Sequence, residues 1–242
     1  SRYFARPAIS SRTIFAYLFG LWLFIPIIQL AVLTVNSPDV VQQLFFRTIS
    51  AEASGVFTVG TTINNLEAFL NNYPALMPTF PVHPQRYPPG LPAAFYAARQ
   101  ILEQFPAFSD AIANPLRLYQ CHDFNLMRLP NAAIASALLQ MVLPLVNGLI
   151  VFPLYGLARL VGNGRIAIWT VFLYPIIPSF ALWSGRWDQF YPLLTTTSWF
   201  LLAWSLHKNK QWASFASGLV LAAATMFTFG MVAMLAPMGL WA

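Results

Sequence analysis

Long apolar runs alternate with short polar stretches along most of this chain, and the runs are the length of membrane spans rather than of core helices. Residues 13–35 contain no charge, and about 20 helical residues suffice to cross a bilayer core. Four further runs follow at residues 131–158, 166–183, 190–206 and 212–235. Pro144, Asn147, Gly148 and Pro153 interrupt the first of these, which predicts a kinked helix. The pattern therefore predicts an all-α, polytopic helical membrane protein with at least five spans. It divides into residues 1–35 (N-terminus and first span), 36–128 (one large loop) and 129–242 (spans two to five).

Within the loop, apolar periodicity predicts helices near residues 40–51, 63–70 and 91–105. Between the last two lies a segment with seven prolines, from Pro74 to Pro92. Because proline fixes φ, this segment is expected to be extended and stiff. Residues 91–108 are nearly apolar enough to cross, but Arg99 and Glu103 stand in the middle. A charge at the bilayer centre costs about 2.5–3.5 kcal/mol on insertion scales. At i,i+4 spacing the two form a surface ion pair on an amphipathic helix instead.

Composition agrees with this division. Hydrophobic residues make up 58% and charged residues 8% of the chain, about a third of the charge that a soluble domain carries. The formal charge is +6, but the basic residues are scattered and never form the run that nucleic acid would need. They sort by topology instead. With the N-terminus inside, Arg2, Arg6, Arg12, Arg159, Arg165, Lys208 and Lys210 fall in the short inner segments. Asp39, Glu52, Glu67, Glu103, Asp110, Asp123 and Asp188, which are all the acids, fall outside. This is the positive-inside pattern, and it places the N-terminus in the cytoplasm. The first run is too long for a signal peptide and lacks a small-residue cleavage site. From Ser1 to an end within an apolar run at Trp241-Ala242, the sequence reads as part of a longer protein. Cys121 is the one cysteine, so no internal disulfide can form.

Candidate chemistry gathers on the outer side, in four places. Ser37-Pro38-Asp39 puts a carboxylate just past the first span, where it can meet a lipid headgroup or simply cap the next helix. In His83-Pro84-Gln85-Arg86-Tyr87-Pro88-Pro89-Gly90, Arg86 can clamp a phosphate or hold a structural turn. Ser184-Gly185-Arg186-Trp187-Asp188 is a tight turn in which Arg186 and Asp188 can pair locally. Cys121-His122-Asp123, with Arg128 nearby, contains metal-ligating residue types, but three consecutive side chains cannot all face one ion without strain.

In order and spacing these features resemble the GT-C superfamily of membrane glycosyltransferases, which use polyprenyl-phosphate-linked sugars. The nearest branch contains the protein O-mannosyltransferases and the lipid A aminoarabinose transferases. The elements that match are Pro38-Asp39, Arg86-Tyr87-Pro88-Pro89-Gly90, Arg128-Leu129-Pro130, Gly162-Asn163-Gly164-Arg165 and Arg186-Trp187-Asp188. The resemblance implies that Asp39 is the catalytic base and that Asp188 assists it. Arg86 and Arg186, with Arg128 and His83, would bind the substrate phosphate and stabilise its growing charge. Asp39, Arg86 and Arg186 are accordingly expected to converge on one outward-facing cavity. No cofactor is required in this scheme, although a divalent metal is compatible with it. The partners implied are a lipid-linked sugar donor and membrane lipids, at the outer face of a prokaryotic plasma membrane. Two positions depart from the pattern. Val40 stands where many relatives have a second acid, and Arg86-Tyr87 where the aminoarabinose branch often has lysine. The alternative expectation is a non-catalytic subunit of a larger membrane complex with the same fold. A transporter is set aside because the spans contain no charged residue.

Overall fold

The structure is a computed structural model that describes residues 10–35, 37–120 and 123–241. Arg2, Arg6, Cys121 and His122 lie outside the described residues, and with them two of the inner basic positions and most of the Cys-His-Asp run. Every regular element among the described residues is helical.

Helix α1 (Ser11–Thr34) starts where the Ser10 hydroxyl accepts the Thr13 amide at 3.1 Å. One stripe of it (Leu18, Leu21, Ile25, Gln29 and Leu33) is buried, at spacings of three and four. Away from that stripe Phe15, Phe24 and Ile27 are exposed. A second rod, Asn131–Val161, comprises α8 (Asn131–Ala135), α9 (Leu138–Met141), α10 (Leu143–Gly148) and α11 (Val151–Val161). These two helices are long and apolar enough to cross a membrane. Trp22 joins them, its indole donating to the Leu145 carbonyl at 2.9 Å.

Between the two rods the loop folds into α2 (Val40–Ile49), α3 (Val56–Thr62), α4 (Leu66–Leu76), α5 (Gly90–Glu103), α6 (Pro106–Leu116) and α7 (Phe124–Met127). Phe45, Phe57 and Phe95 of these helices are fully buried. They share one core with Ile134 of the rod and with Trp187. Burial of each such side chain is worth about 1.5–3 kcal/mol, so the loop is an integral part of the core. Arg99 and Glu103 form the expected ion pair on α5, at 3.4 Å. Arg99 also donates to the carbonyls of Thr61 and Ile63 at 2.9 and 2.7 Å, which closes the end of α3.

The proline segment is not extended. It folds into two 3-10 turns, Met77–Thr79 and Pro84–Arg86, each with proline in its first positions. There the missing N–H is no loss and the fixed φ suits a turn. Gln85 closes the intervening chain by donating to Phe80 O and Pro78 O at 2.7 and 3.2 Å. The helix expected at residues 63–70 begins later, at Leu66, because Asn65 supplies the cap.

Two apolar runs expected as continuous helices are broken. Residues 166–183 divide into α12 (Gly164–Leu173), a 3-10 turn at Tyr174–Ile176 and α13 (Pro178–Leu182). Pro175 and Pro178 remove two donors there. Residues 212–235 divide into α15 (Gln211–Thr225), a 3-10 stretch at Phe229–Met234 and the start of α16 (Leu235–Trp241). Here a long-range contact makes the break, since Gly90 N–H donates to the Met226 carbonyl at 2.8 Å. A Cβ at Gly90 would overlap that carbonyl. Between these runs α14 (Phe190–Lys208) is unbroken and ends at Asn209, which adopts φ +53°. It pairs with α15 through small residues, Ser198 and Ser217 each donating a hydroxyl to the other's carbonyl, at 2.9 and 2.7 Å.

The broken segment after α12 leaves carbonyls with no intrahelical partner, and side chains from three other elements take them up. Gln29 of α1 donates to Phe180 O at 3.2 Å, and Gln189 donates to the same oxygen. Arg47 of α2 donates to Ser184 O at 2.8 Å. Gln140 of α9 donates to Gly185 O at 2.9 Å and to Arg47 O at 3.2 Å. All three glutamines are buried. Gln140→Leu keeps the volume and strands two carbonyls, at a typical cost of about 1–3 kcal/mol. A clear drop in the thermal midpoint is expected in detergent, and an unchanged midpoint would refute the role assigned to Gln140.

Candidate functional site

The 184–188 turn is held from below by Arg47 and Gln140 and from within by Gly185, whose φ is +72°. A side chain at Gly185 would be strained and would meet Leu44 Cδ2 at 2.7 Å. The turn aims two neighbours in different directions. Trp187 is buried, edge-on to Phe95 and Phe190 with ring centroids 6.0 Å away in each case. Arg186 lies against Trp183, its guanidinium 5.7 Å from the ring centroid, and donates through Nη1 to the Ala53 carbonyl. Asp188, in the 3-10 turn Trp187–Gln189, is exposed.

Arg186 and Asp188 line a cavity of ≈ 330 Å³ together with Glu52, Ser54, His83 and Tyr87. One guanidinium, one imidazole and two carboxylates therefore face a single space, walled by Trp183 and Tyr191. Arg186 Nε and Ser54 Oγ are buried and have no hydrogen-bond partner among the described residues. Electrostatics couple the same groups. Burial raises the Tyr87 phenol above its usual range, the Asp188 charge adds to the rise, and Arg186 opposes it. A second cavity of ≈ 340 Å³, walled by Tyr174, Ile177, Phe180 and Pro192, shares Trp183 and Asp188 with the first. A polar chamber and an apolar one thus meet at Asp188.

Of the residues singled out from sequence, the structure brings His83, Arg186 and Asp188 together. Asp39, Arg86 and Arg128 do not line this cavity. Arg86 is exposed at the end of its 3-10 turn, and Arg128 is exposed just beyond α7. Asp39 is the N-cap of α2. Its Oδ1 accepts the Gln42 amide at 2.9 Å and its Oδ2 accepts the Tyr119 hydroxyl at 2.7 Å. The first and then the second of these bonds hold its carboxyl below the usual carboxylate range. Sequence reasoning passed over Glu52, Ser54, Arg47 and Tyr119. No motif marks them, because each gains its role from a partner distant in sequence. Arg47 alone carried a signal, as a lone cation on an otherwise uncharged amphipathic helix.

No three histidine, cysteine or acidic side chains gather as metal ligands among the described residues. Glu52, His83 and Asp188 share the cavity wall without forming such a set. No protein-family model, curated protein or solved structure matches the chain.

The Asp39 cap makes a pH prediction. Its folded-state carboxyl lies below its unfolded value of about 3.9, so its stabilising effect is present above that value. The effect is lost as pH falls through the lower, folded value. Asp39→Asn retains a cap of similar strength and removes this titration. Near neutral pH the variant should melt below the wild type, and the two curves should converge below about pH 4. Melting curves that stay parallel from about pH 7 to pH 3 would exclude the assigned ionisation.

Proposed function

We propose that this chain is a multi-pass membrane protein of a prokaryotic plasma membrane that transfers a sugar from a polyprenyl-phosphate donor to an acceptor at the outer face. Membrane residence is supported by the two long apolar helices and by the short inner segments, which hold seven basic residues and no acid. Helix α14 has 19 residues and spans about 28 Å at 1.5 Å per residue, close to the thickness of a bilayer core.

The observation that carries the reading is the cavity shared by Arg186, His83, Glu52 and Asp188. The unpartnered Arg186 Nε and Ser54 Oγ are donors suited to phosphate oxygens. The adjoining apolar chamber suits the first isoprene units of the lipid. In this scheme Asp188 takes the proton from the acceptor hydroxyl as its oxygen bonds to the anomeric carbon. The bond from that carbon to the phosphate oxygen breaks, and the electron pair leaves on the lipid phosphate. Arg186 and His83 stabilise the charge gathered there, in a site partly screened from water. Asp39, which the family resemblance points to as base, acts here as the cap that sets the start of α2. That assignment moves the base to a carboxylate that faces the cavity.

A second reading has one observation in its favour. Arg186 Nη1 and both Asp39 oxygens are already engaged within the chain, as they would be in a non-catalytic subunit built on the same scaffold.

Purified protein in nanodiscs, supplied with a panel of polyprenyl-phosphate sugars, separates the two. Asp188→Asn should lower transfer by about 10²–10⁴-fold, the usual worth of general-base catalysis, while Asp39→Asn keeps most of the activity. Full activity in Asp188→Asn would remove it as the base. A wild type that neither binds nor uses any donor would favour the scaffold reading.

A further inference from the structure

The opposite end of α14 forms a second charged cavity that the reading above leaves unused. A groove of ≈ 650 Å³ runs between α11 and α14, lined by Arg159, His207 and Lys208 and by the rings of Tyr155, Phe200 and Trp204. No acidic residue is among its lining. Arg159 lies in the last turn of α11, and His207 and Lys208 lie in the last turn of α14. All three are exposed, and Arg159 and Lys208 have no hydrogen-bond or ion-pair partner among the described residues. Gly156 lets the helices approach, because a methyl group there would overlap the Phe200 ring.

We propose that this groove binds the headgroup phosphate of an anionic phospholipid in the inner leaflet. Cations near helix ends are commonly explained as partners of the terminal carbonyls. That explanation does not account for three basic side chains from two helices facing one cavity with an aromatic wall. The negative helix ends weaken the positive potential, so the side chains must carry the recognition. Charge complementarity selects an anion, and the surroundings select one attached to acyl chains. Val161, Leu206, Trp212 and Phe215, beside the groove in sequence, are all exposed hydrophobics. Trp204 and Trp212 meet edge-on at 5.2 Å, and clustered tryptophans with basic residues mark a membrane interface. The inference rests on the bilayer placement proposed above but not on glycosyl transfer, and its test uses no sugar donor.

The test compares wild type with an Arg159→Gln/Lys208→Gln double variant in nanodiscs of phosphatidylglycerol or phosphatidylcholine. The lipid retained after detergent extraction is measured by native mass spectrometry. Wild type should retain phosphatidylglycerol selectively. The double variant should hold it about thirtyfold more weakly, as expected for two lost basic contacts, with an unchanged melting temperature. Equal retention by the two proteins would overturn the proposal, and so would equal retention of phosphatidylcholine by the wild type. Displacement of the lipid by millimolar inorganic phosphate would show a free-anion site instead and would overturn the assignment to lipid.

Discussion

Backbone carbonyls that have lost their helical partners must be satisfied inside this protein, and that requirement organises the region around the site. Pro175 and Pro178 break the apolar segment after α12, and the chain does not return to a long helix until Phe190. An unpaired buried carbonyl costs as much as a lost hydrogen bond or more. Gln29 and Gln140 meet the requirement from within apolar helices, Gln189 from the adjoining 3-10 turn, and Arg47 from the loop. The bonds from Gln29, Arg47 and Gln140 fix the broken segment to three different parts of the chain. Together they hold Arg186 and Asp188 in a cavity wall, and they explain polar residues that would otherwise weaken apolar helices.

The same requirement explains what was legible in the sequence. An apolar window reports that a segment avoids water, and the windows at α1 and 131–161 coincide with helices long and apolar enough to cross a membrane. Such a window does not report whether the helix is continuous. Continuity in residues 166–183 and 212–235 depends on whether distant donors such as Gln29 and the Gly90 amide can serve the freed carbonyls. Local rules performed better where both partners are close in the chain. The Arg99–Glu103 pair at i,i+4 and the Asp39 cap, one of two readings left open, are both present. The proline segment departs from the extended chain expected of it because proline in the first positions of a 3-10 turn favours the turn.

The site itself was half legible. Arg186, Asp188 and His83 lie in short motifs, but by residue type the first two suggest only a local pair, and phosphate chemistry for Arg186 and His83 is implied by the family resemblance alone. Glu52 and Ser54 belong to a loop with no marked pattern, and they reach the cavity because Arg186 Nη1 binds the neighbouring Ala53 carbonyl. Asp39 was open to two readings. Its place after the first span fits a catalytic acid as well as a cap, and its bonds to Gln42 and Tyr119 show the cap. In the proposed disposition α14 links two anion-binding ends, a donor cavity above and a lipid groove below, about one bilayer thickness apart.

An experimental structure of the protein with a non-hydrolysable polyprenyl-phosphate sugar would test the central claim most directly. The account predicts the phosphate in the cavity beside Trp183, with its oxygens within about 2.7–3.2 Å of Arg186 Nε and Ser54 Oγ. A phosphate bound instead beside Asp39 and Arg86, or a neighbouring subunit's side chains packed into the cavity, would contradict it.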